Sequence, residues 1–380
     1  MSDKFNSYRY KTQPYEHQKK VLKDSWAELY YAYLLEMGTG KSKCAIDNIG
    51  MLYEDNKINA VLIIAPKGVM DNWSKGEIPV HLPDRIPRIV CGWTPSSSKK
   101  FAEELKHITY HKTNDLKFFV MNVEAFSTSK GTKAAYEFLL KNPENMVVVD
   151  ESTTIKNRKA ARTKNIMELR NVSLYRRILT GSPVTKSPMD LFSQCFFLSP
   201  RALGFNSYYA FQNRYAQVQS RTMGNRSFQE IVGYRRLDEL NEKLLSFSNR
   251  TLKEDCLDLP EKIYTRRHIE LTDEQLTVYT QMKKLALAQL QNGDLATTES
   301  VLTQIMRLQQ ICCGFFQPDE GAIQPLANNR LSGLMSVIDE CSGKAIIWAS
   351  YTYDIQRIAQ ALRDRFGPDS VATYFGGTPQ

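Results

Sequence analysis

No stretch of this chain approaches the ~18 consecutive apolar residues that a membrane span requires. The N-terminal run "MSDKFNSYRYKTQPYEHQ" is polar and lacks the apolar centre of a secretory leader. Neither a membrane-spanning nor an exported protein is therefore expected. The seven cysteines, Cys44, Cys91, Cys195, Cys256, Cys312, Cys313 and Cys341, include no C-x-x-C pair, which argues against a zinc ribbon and against a disulfide framework. Reduced, mostly buried thiols and a reducing, cytoplasmic setting follow as the expectation. The five histidines, His17, His81, His107, His111 and His268, are scattered, so none is assigned to a metal or to acid–base work. No repeat of solenoid period and no low-complexity tract is found.

What is present is a chain of 380 residues, 42% hydrophobic and 24% charged, with a formal net charge of +9. That length accommodates two ordinary cores. The positive balance favours a polyanionic partner such as nucleic acid, because Lys and Arg displace counterions condensed on phosphates.

Four apolar runs rich in β-branched residues, "AVLIIAP" at 60–66, "FFVMNV" at 118–123, "MVVVDE" at 146–151 and "RRILTG" at 176–181, read as strands buried on both faces. Helix-compatible stretches at 97–107, 132–141 and 160–170 separate them, so the fold class is α/β with a doubly wound parallel sheet. From about Met189 to Arg250 the strand signal fades. The aromatic, Arg-rich "LGFNSYYAFQNRYAQVQSR" suggests helices projecting from the first domain. "NGDLATTES", 292–300, reads as a loop between helices. A second α/β signal appears late, with helix "RLSGLMSVIDECSG", strand "KAIIWAS" at 344–350 and helix "TYDIQRIAQALRDRFG". About fifty residues follow Leu331, where a domain normally needs ~100–150, so the second domain is expected to be cut short.

The chemistry centres on "EMGTGKS", Glu36 to Ser42. Gly38 and Gly40 let backbone N–H groups approach phosphates, with Met37 and Thr39 in the same loop; Lys41 supplies positive charge and the Ser42 hydroxyl can ligate Mg2+. A helix starting near Lys41 would aim its positive end at the same anion. The first glycine of the usual G-x-x-x-x-G-K-[ST] pattern is replaced by Leu35. "VVVDES", 147–152, is an apolar strand that delivers two carboxylates to its C-terminal end, where open α/β sheets bind ligands. Asp150 would hold Mg2+ and Glu151 would orient and deprotonate an attacking water. Lys67, Arg158, Lys159 and Arg162 are candidates to track DNA phosphates. Trp73 reads as a core anchor, and Tyr208, Tyr209 and Phe211 as packing of the projecting helices.

In this order the motifs resemble the Swi/Snf branch of superfamily-two helicase-like ATPases, motors built from two RecA-like lobes. "PYEHQ", 14–18, resembles the glutamine motif, which implies that Gln18 reads an adenine edge. "LLEMGTGKS" resembles the phosphate loop, and "LIIAPKGVMDNWSKGE", with Lys67 and Trp73, the first nucleic-acid-contacting motif. "VVVDESTTIKNRKAARTK" resembles the DEAH-type box, with Ser152 and Thr153 where Ala and His are usual; the lost His puts the usual contact between this box and the next motif in doubt. "ILTGSPVTKSPMDLF" resembles the coupling motif, through Thr180, Gly181 and Ser182 with Pro183. "FLSPRALGFNSYYAFQNRY" and "RTLKEDCLDLPEKIYTRRHIELTDEQLTVY" are similar to segments of the Swi/Snf branch in particular.

The resemblance implies a RecA-like ATP-binding lobe over 1–190, a helical protrusion over 191–260, a helical linker and entry to the second lobe over 261–330, and an incomplete second RecA-like lobe over 331–380. It implies ATP and Mg2+ as ligands and duplex DNA, or single strands, as partner, with protein partners unspecified and a bacterial or bacteriophage-infected cell as the setting. The expected activity is an ATP-driven, double-stranded-DNA translocase, with DNA-stimulated ATP hydrolysis by the complete protein and very slow hydrolysis by this chain alone, even with DNA. The alternatives are a strand-separating helicase and a nucleotide-responsive DNA-binding module without turnover. The last follows from the expectation that the segment carrying the arginines that complete the ATP site is missing, since no Arg lies beyond Arg365.

Overall fold

The computed structural model describes residues 4–95, 98–223, 226–291, 298–318 and 321–376. The chain divides into two compact units, 1–261 and 262–380.

The first unit is built on a seven-stranded sheet. Its strands are β1 (Tyr30–Leu35), β2 (Ala60–Ala65), β3 (Arg88–Gly92), β4 (Leu116–Asn122), β5 (Asn145–Asp150), β6 (Tyr175–Leu179) and β9 (Ser248–Thr251), in the spatial order β3-β4-β2-β5-β6-β1-β9. Every pairing in it is parallel. Each of the four apolar runs expected to be strands of the first domain forms one, displaced by no more than two residues at either end. β2 and β5 are buried along their whole length, as continuous Val/Ile/Leu runs require when helices cover both faces.

Side chains alternate between two cores. Leu34, Leu62, Ile64, Phe119, Met121, Val147, Val149 and Ile178 enter one, while Tyr33, Leu35, Val61, Ile63, Phe118, Val120, Val148 and Leu179 enter the other. Fully burying a single side chain of this kind contributes roughly 1.5–3 kcal/mol, so the sheet holds rigid the loops that leave its C-terminal edge.

Crossover helices separate the strands: α1 (Glu16–Ser25) precedes β1, and α2 (Lys41–Glu54), α3 (Lys99–Tyr110), α4 (Ser129–Lys141) and α5 (Ala161–Glu168) follow in turn. Ser98 and Thr128 cap α3 and α4 by accepting from the Phe101 and Gly131 backbone amides. Arg177, fully buried in β6, ties two of the helices to the sheet. Its guanidinium donates to Ser25 O and Glu28 O past the end of α1 and to Asn48 Oδ1 on α2, at 2.8–3.0 Å.

Residues 191–260, expected to project as helices alone, contain helices α6 (Leu191–Leu198), α7 (Tyr208–Tyr215) and α8 (Leu237–Leu245), together with an antiparallel hairpin, β7 (Ala216–Met223) and β8 (Arg226–Tyr234). The hairpin escaped the sequence reading because its strands are polar and largely exposed, so no apolar alternation marks them. Tyr208, Tyr209 and Phe211 do lie on the projecting helix, where Tyr208 and Phe211 pack against Phe192.

The second unit contains α9 (Asp273–Gln291), α10 (Thr298–Cys313), α11 (Arg330–Asp339) and α12 (Thr352–Phe366), with a short antiparallel pair, β10 (Phe315–Phe316) and β11 (Gln324–Pro325). Of the loop expected at 292–300, residues 292–297 lie outside the described residues, as do 377–380 of "YFGGTPQ". The strand expected at 344–350 does not form: this segment has no pairing among the described residues, and Trp348 is 90% exposed. An apolar run becomes a strand only where a neighbour supplies the hydrogen-bond ladder.

Candidate nucleotide site at the strand ends

Three neighbouring strands, β5, β6 and β1, release the three motifs side by side. β5 ends at Asp150 and is followed by Glu151; β6 ends at Leu179 and is followed by Thr180, Gly181 and Ser182; β1 ends at Leu35 and opens into Glu36 to Gly40. Adjacent strands in a sheet are ~4.8 Å apart, so residues distant in sequence share one crevice.

The loop has the backbone its glycines imply. Gly38 and Gly40 both adopt φ +87°, a left-handed conformation natural to glycine. A Cβ on Gly40 would overlap the Gln18 side-chain amide, and one on Gly181 would sit 3.1 Å from Met37 N. The coupling motif thus packs directly on the loop backbone. α2 begins at Lys41 with Gly40 as its N-cap, which aims the first-turn N–H groups and the helix dipole toward the loop. Thr39 stabilises the turn by donating its hydroxyl to Glu36 O at 2.7 Å.

Gln18 is buried against this loop. Its Nε2 donates to Thr39 O at 3.1 Å and its Oε1 accepts from Tyr15 N at 3.0 Å. His17 Nε2 also meets Thr39 O at 2.9 Å, and since a carbonyl only accepts, that nitrogen carries the proton.

Asp150 is buried, and each of its oxygens is held: Oδ2 accepts from Trp73 Nε1 at 2.8 Å and Oδ1 from Glu151 N at 2.9 Å. Burial raises its pKa, while the Trp73 and Glu151 hydrogen bonds and the Lys41 ammonium pull it back down. Glu151 has φ 45° and ψ 60°, a left-handed conformation that is strained in a non-glycine residue by roughly 1–3 kcal/mol. Its carboxyl is likewise raised by burial and by Asp150, and lowered by Lys41 and by a hydrogen bond with Thr180. The Thr180 hydroxyl in turn accepts from Ser182 N at 3.2 Å, so the carboxylate and the coupling motif are joined.

The contact put in doubt by the missing His is made another way. Ser152 Oγ donates to Gln194 Oε1 at 2.7 Å, and Gln194 Nε2 donates to Pro183 O at 2.8 Å and Asp190 O at 2.9 Å. Gln194, fully buried on α6, therefore bridges the box to the coupling segment.

A Mg2+–nucleotide fits these residues. The buried Asp150 and half-buried Glu151 carboxyl groups, the Ser42 hydroxyl and the glycine loop leading into the N-terminus of α2 form the hard-oxygen and N–H donor set that Mg2+ and phosphates require. Among the described residues, no group of three or more His, Cys, Asp or Glu side chains forms a metal site of its own.

The basic candidates are placed unevenly. Lys67 is exposed in the turn after β2, next to β5 in the sheet. Lys159 is exposed, whereas the Arg158 guanidinium stacks on Tyr208 at 4.2 Å and on Tyr209 at 5.1 Å. Arg162 is half-buried, with Nε unpartnered. Sequence reasoning missed Trp73 as a donor to Asp150, because core burial and hydrogen bonding look alike in a sequence, and Gln194, because nothing marks its helix as part of a site.

A parallel α/β sheet with a glycine loop, an acidic pair and a Thr-Gly-Ser turn on three successive strand ends defines the class, a RecA-like phosphate-loop lobe. The family model of the SNF2-related domain matches residues 34–316, and the chain belongs to that family.

TATA-binding protein-associated factor MOT1 of Saccharomyces cerevisiae is 31% identical over 182 residues, 46% of this chain and 10% of that protein. Chromatin-remodeling ATPase INO80 of Aspergillus oryzae is 24% identical over 73% of this chain and 19% of its own length. DNA annealing helicase and endonuclease ZRANB3 of Bos taurus is 29% identical over 62% of this chain and 20% of its own length. The chain thus spans a fifth or less of these three relatives. Among solved structures, the SWI2/SNF2 ATPase core of Sulfolobus solfataricus in complex with dsDNA is similar in fold, with a TM-score of 0.51, 21% identity, and coverage of 94% of this chain and 71% of that one.

Proposed function

We propose that this chain is the ATP-binding and hydrolysing part of a motor that moves along duplex DNA. The observation that carries the reading is the delivery of Lys41, Asp150–Glu151 and Thr180–Gly181 to one crevice by β1, β5 and β6. Lys41 and the amides of the loop hold the phosphates; Ser42 and Asp150 hold Mg2+, which when bound neutralises phosphate charge and orients the γ-phosphoryl group. Glu151, its pKa raised by burial, positions the attacking water and accepts its proton. Thr180 holds Glu151, and Gly181, lying against Met37, transmits any shift of the loop to the segment that Gln194 anchors.

Gln18 and His17 stiffen the loop, and Gln18 retains one N–H and one lone pair for an adenine edge. DNA is the proposed partner on the strength of the net charge of +9 and of exposed Lys67 and Lys159 at the sheet's C-terminal edge. That one relative is a DNA annealing helicase and that the Sulfolobus solfataricus core is a complex with dsDNA support the same reading.

ATPase rate with and without duplex and single-stranded DNA tests this. In the full-length gene product, stimulation by duplex, together with Glu151→Gln that still binds Mg2+–ATP but does not turn over, is the expected result. Normal turnover in Glu151→Gln removes it as the base. Unwinding of a forked duplex would select the strand-separating helicase, and nucleotide binding with no turnover the DNA-binding module.

A further inference from the structure

The phosphate loop is gripped from its other side by the start of the "RTLKEDCLDLPEK" segment, to which no nucleotide contact has been assigned. β9 pairs with β1 so that Thr251 stands beside Leu35. Beyond that register, Glu36 N donates to Thr251 O at 2.9 Å and Lys253 N donates to Glu36 Oε2 at 2.9 Å. Arg250 Nη1 adds bonds to Leu34 O at 3.2 Å and Gly181 O at 2.8 Å. Residues 250–253 are thereby laced to residues 34–36, and the Lys253 side chain is laid over Gly38. A Cβ built on Gly38 would meet Lys253 Cε at 3.4 Å and Nζ at 3.8 Å.

The charges of the crevice give this placement a consequence. Glu36, Asp150 and Glu151 line it as carboxyl groups, while Lys41 already acts on both Asp150 and Glu151. Among the described residues, no side-chain hydrogen bond or ion pair engages the Lys253 ammonium. It is a half-buried positive charge beside the glycine turn, and it is the Lys253 backbone amide, not the ammonium, that meets the Glu36 carboxylate. A partly desolvated cation in that position is stabilised by an anion entering the loop.

We propose that Lys253 is a second phosphate-binding lysine of the nucleotide site, adding its charge to that of Lys41 and favouring a nucleoside triphosphate over a diphosphate. The inference rests on the phosphate-loop reading of residues 36–42. It extends the site to a residue 217 positions beyond Glu36 in sequence, shortly before the second unit begins at Lys262.

Equilibrium titration of the full chain with fluorescent mant-ATP and mant-ADP in the presence of Mg2+ tests it. The variants are Lys253→Met, which keeps the apolar stem over Gly38, Lys253→Gln, Lys253→Arg and, as control, Lys41→Ala. The expected result is a loss of about tenfold in mant-ATP affinity for Lys253→Met and Lys253→Gln, with mant-ADP weakened about twofold and Lys253→Arg close to wild type. Wild-type affinity for both nucleotides in Lys253→Met and Lys253→Gln, with Lys41→Ala impaired, overturns the role of Lys253 and leaves the phosphate loop standing. Equal losses of both nucleotides overturn the triphosphate preference and assign Lys253 to packing over Gly38. Failure of the wild-type chain to bind either nucleotide overturns the phosphate-loop reading, and this inference with it.

Discussion

Replacing Trp73 by phenylalanine isolates one hydrogen bond in the site. Trp73 is 1% exposed, and its indole donates to Asp150 Oδ2 at 2.8 Å across 77 residues of sequence. A hydrogen bond to a charged group contributes about 1.5–3 kcal/mol, and the smaller ring loses roughly 1 kcal/mol of packing besides. Trp73→Phe should therefore lower unfolding free energy by about 2–4 kcal/mol in urea titrations near neutral pH.

Combining it with Asp150→Asn divides the sum. In that background only the packing loss and a weaker neutral bond remain, so the two changes should show a coupling of about 1–2 kcal/mol.

The pH dependence has a definite sign. The folded pKa of Asp150 is raised by burial, so its contribution to stability is fully present below the unfolded value near ~3.9 and is lost as pH rises through the folded value. Removing the indole raises the folded value further, so Trp73→Phe should be more destabilising at a pH well above the folded value than at one below the unfolded value near ~3.9. Additivity within about 0.3 kcal/mol in the cycle, or an equal loss at the two pH values, would refute the assignment of Trp73 as a holder of the Asp150 carboxylate.

Gly40→Ala forces a side chain onto φ +87° and into the Gln18 amide; nucleotide affinity measured by titration should fall at least tenfold, and a retained affinity would show that the loop tolerates another backbone. Gln194→Leu keeps the volume but leaves Ser152 Oγ without its acceptor and Pro183 O without its donor; a stability loss of about 2–4 kcal/mol by urea denaturation is expected, and a loss under about 1 kcal/mol would mean the bridge is dispensable. Affinity for duplex DNA should fall steeply with salt if Lys67 and Lys159 lie on the binding face, whereas a flat response would remove them from it.

Much of the first unit was legible because its strands are buried on both faces and leave continuous runs such as "AVLIIA" and "MVVVD". β9 was not: "SNRT" is polar, and it is a strand only because the backbone of β1 is there to pair with it. The candidate site residues were legible where their spacing is local, as in Gly38 to Ser42 or Asp150–Glu151. Trp73, Gln194 and Lys253 escaped because each acts on a partner more than 40 residues away. "KAIIWAS" failed in the opposite sense: it carries the apolar run of a strand, but has no neighbour to pair with among the described residues.

The position of β9 also bears on how the protein is made. On the ribosome β1 emerges early, yet its outer neighbour is synthesised only at Ser248–Thr251. Until then β1 is the unprotected margin of the growing sheet, with the phosphate loop at its tip, and an open margin of this kind invites pairing with another chain. Closing it requires a contact of high sequence separation, which is slow to form. The last strand of the first unit is thus both the far wall of the candidate nucleotide crevice and the element that takes the place of β1 at the margin of the sheet.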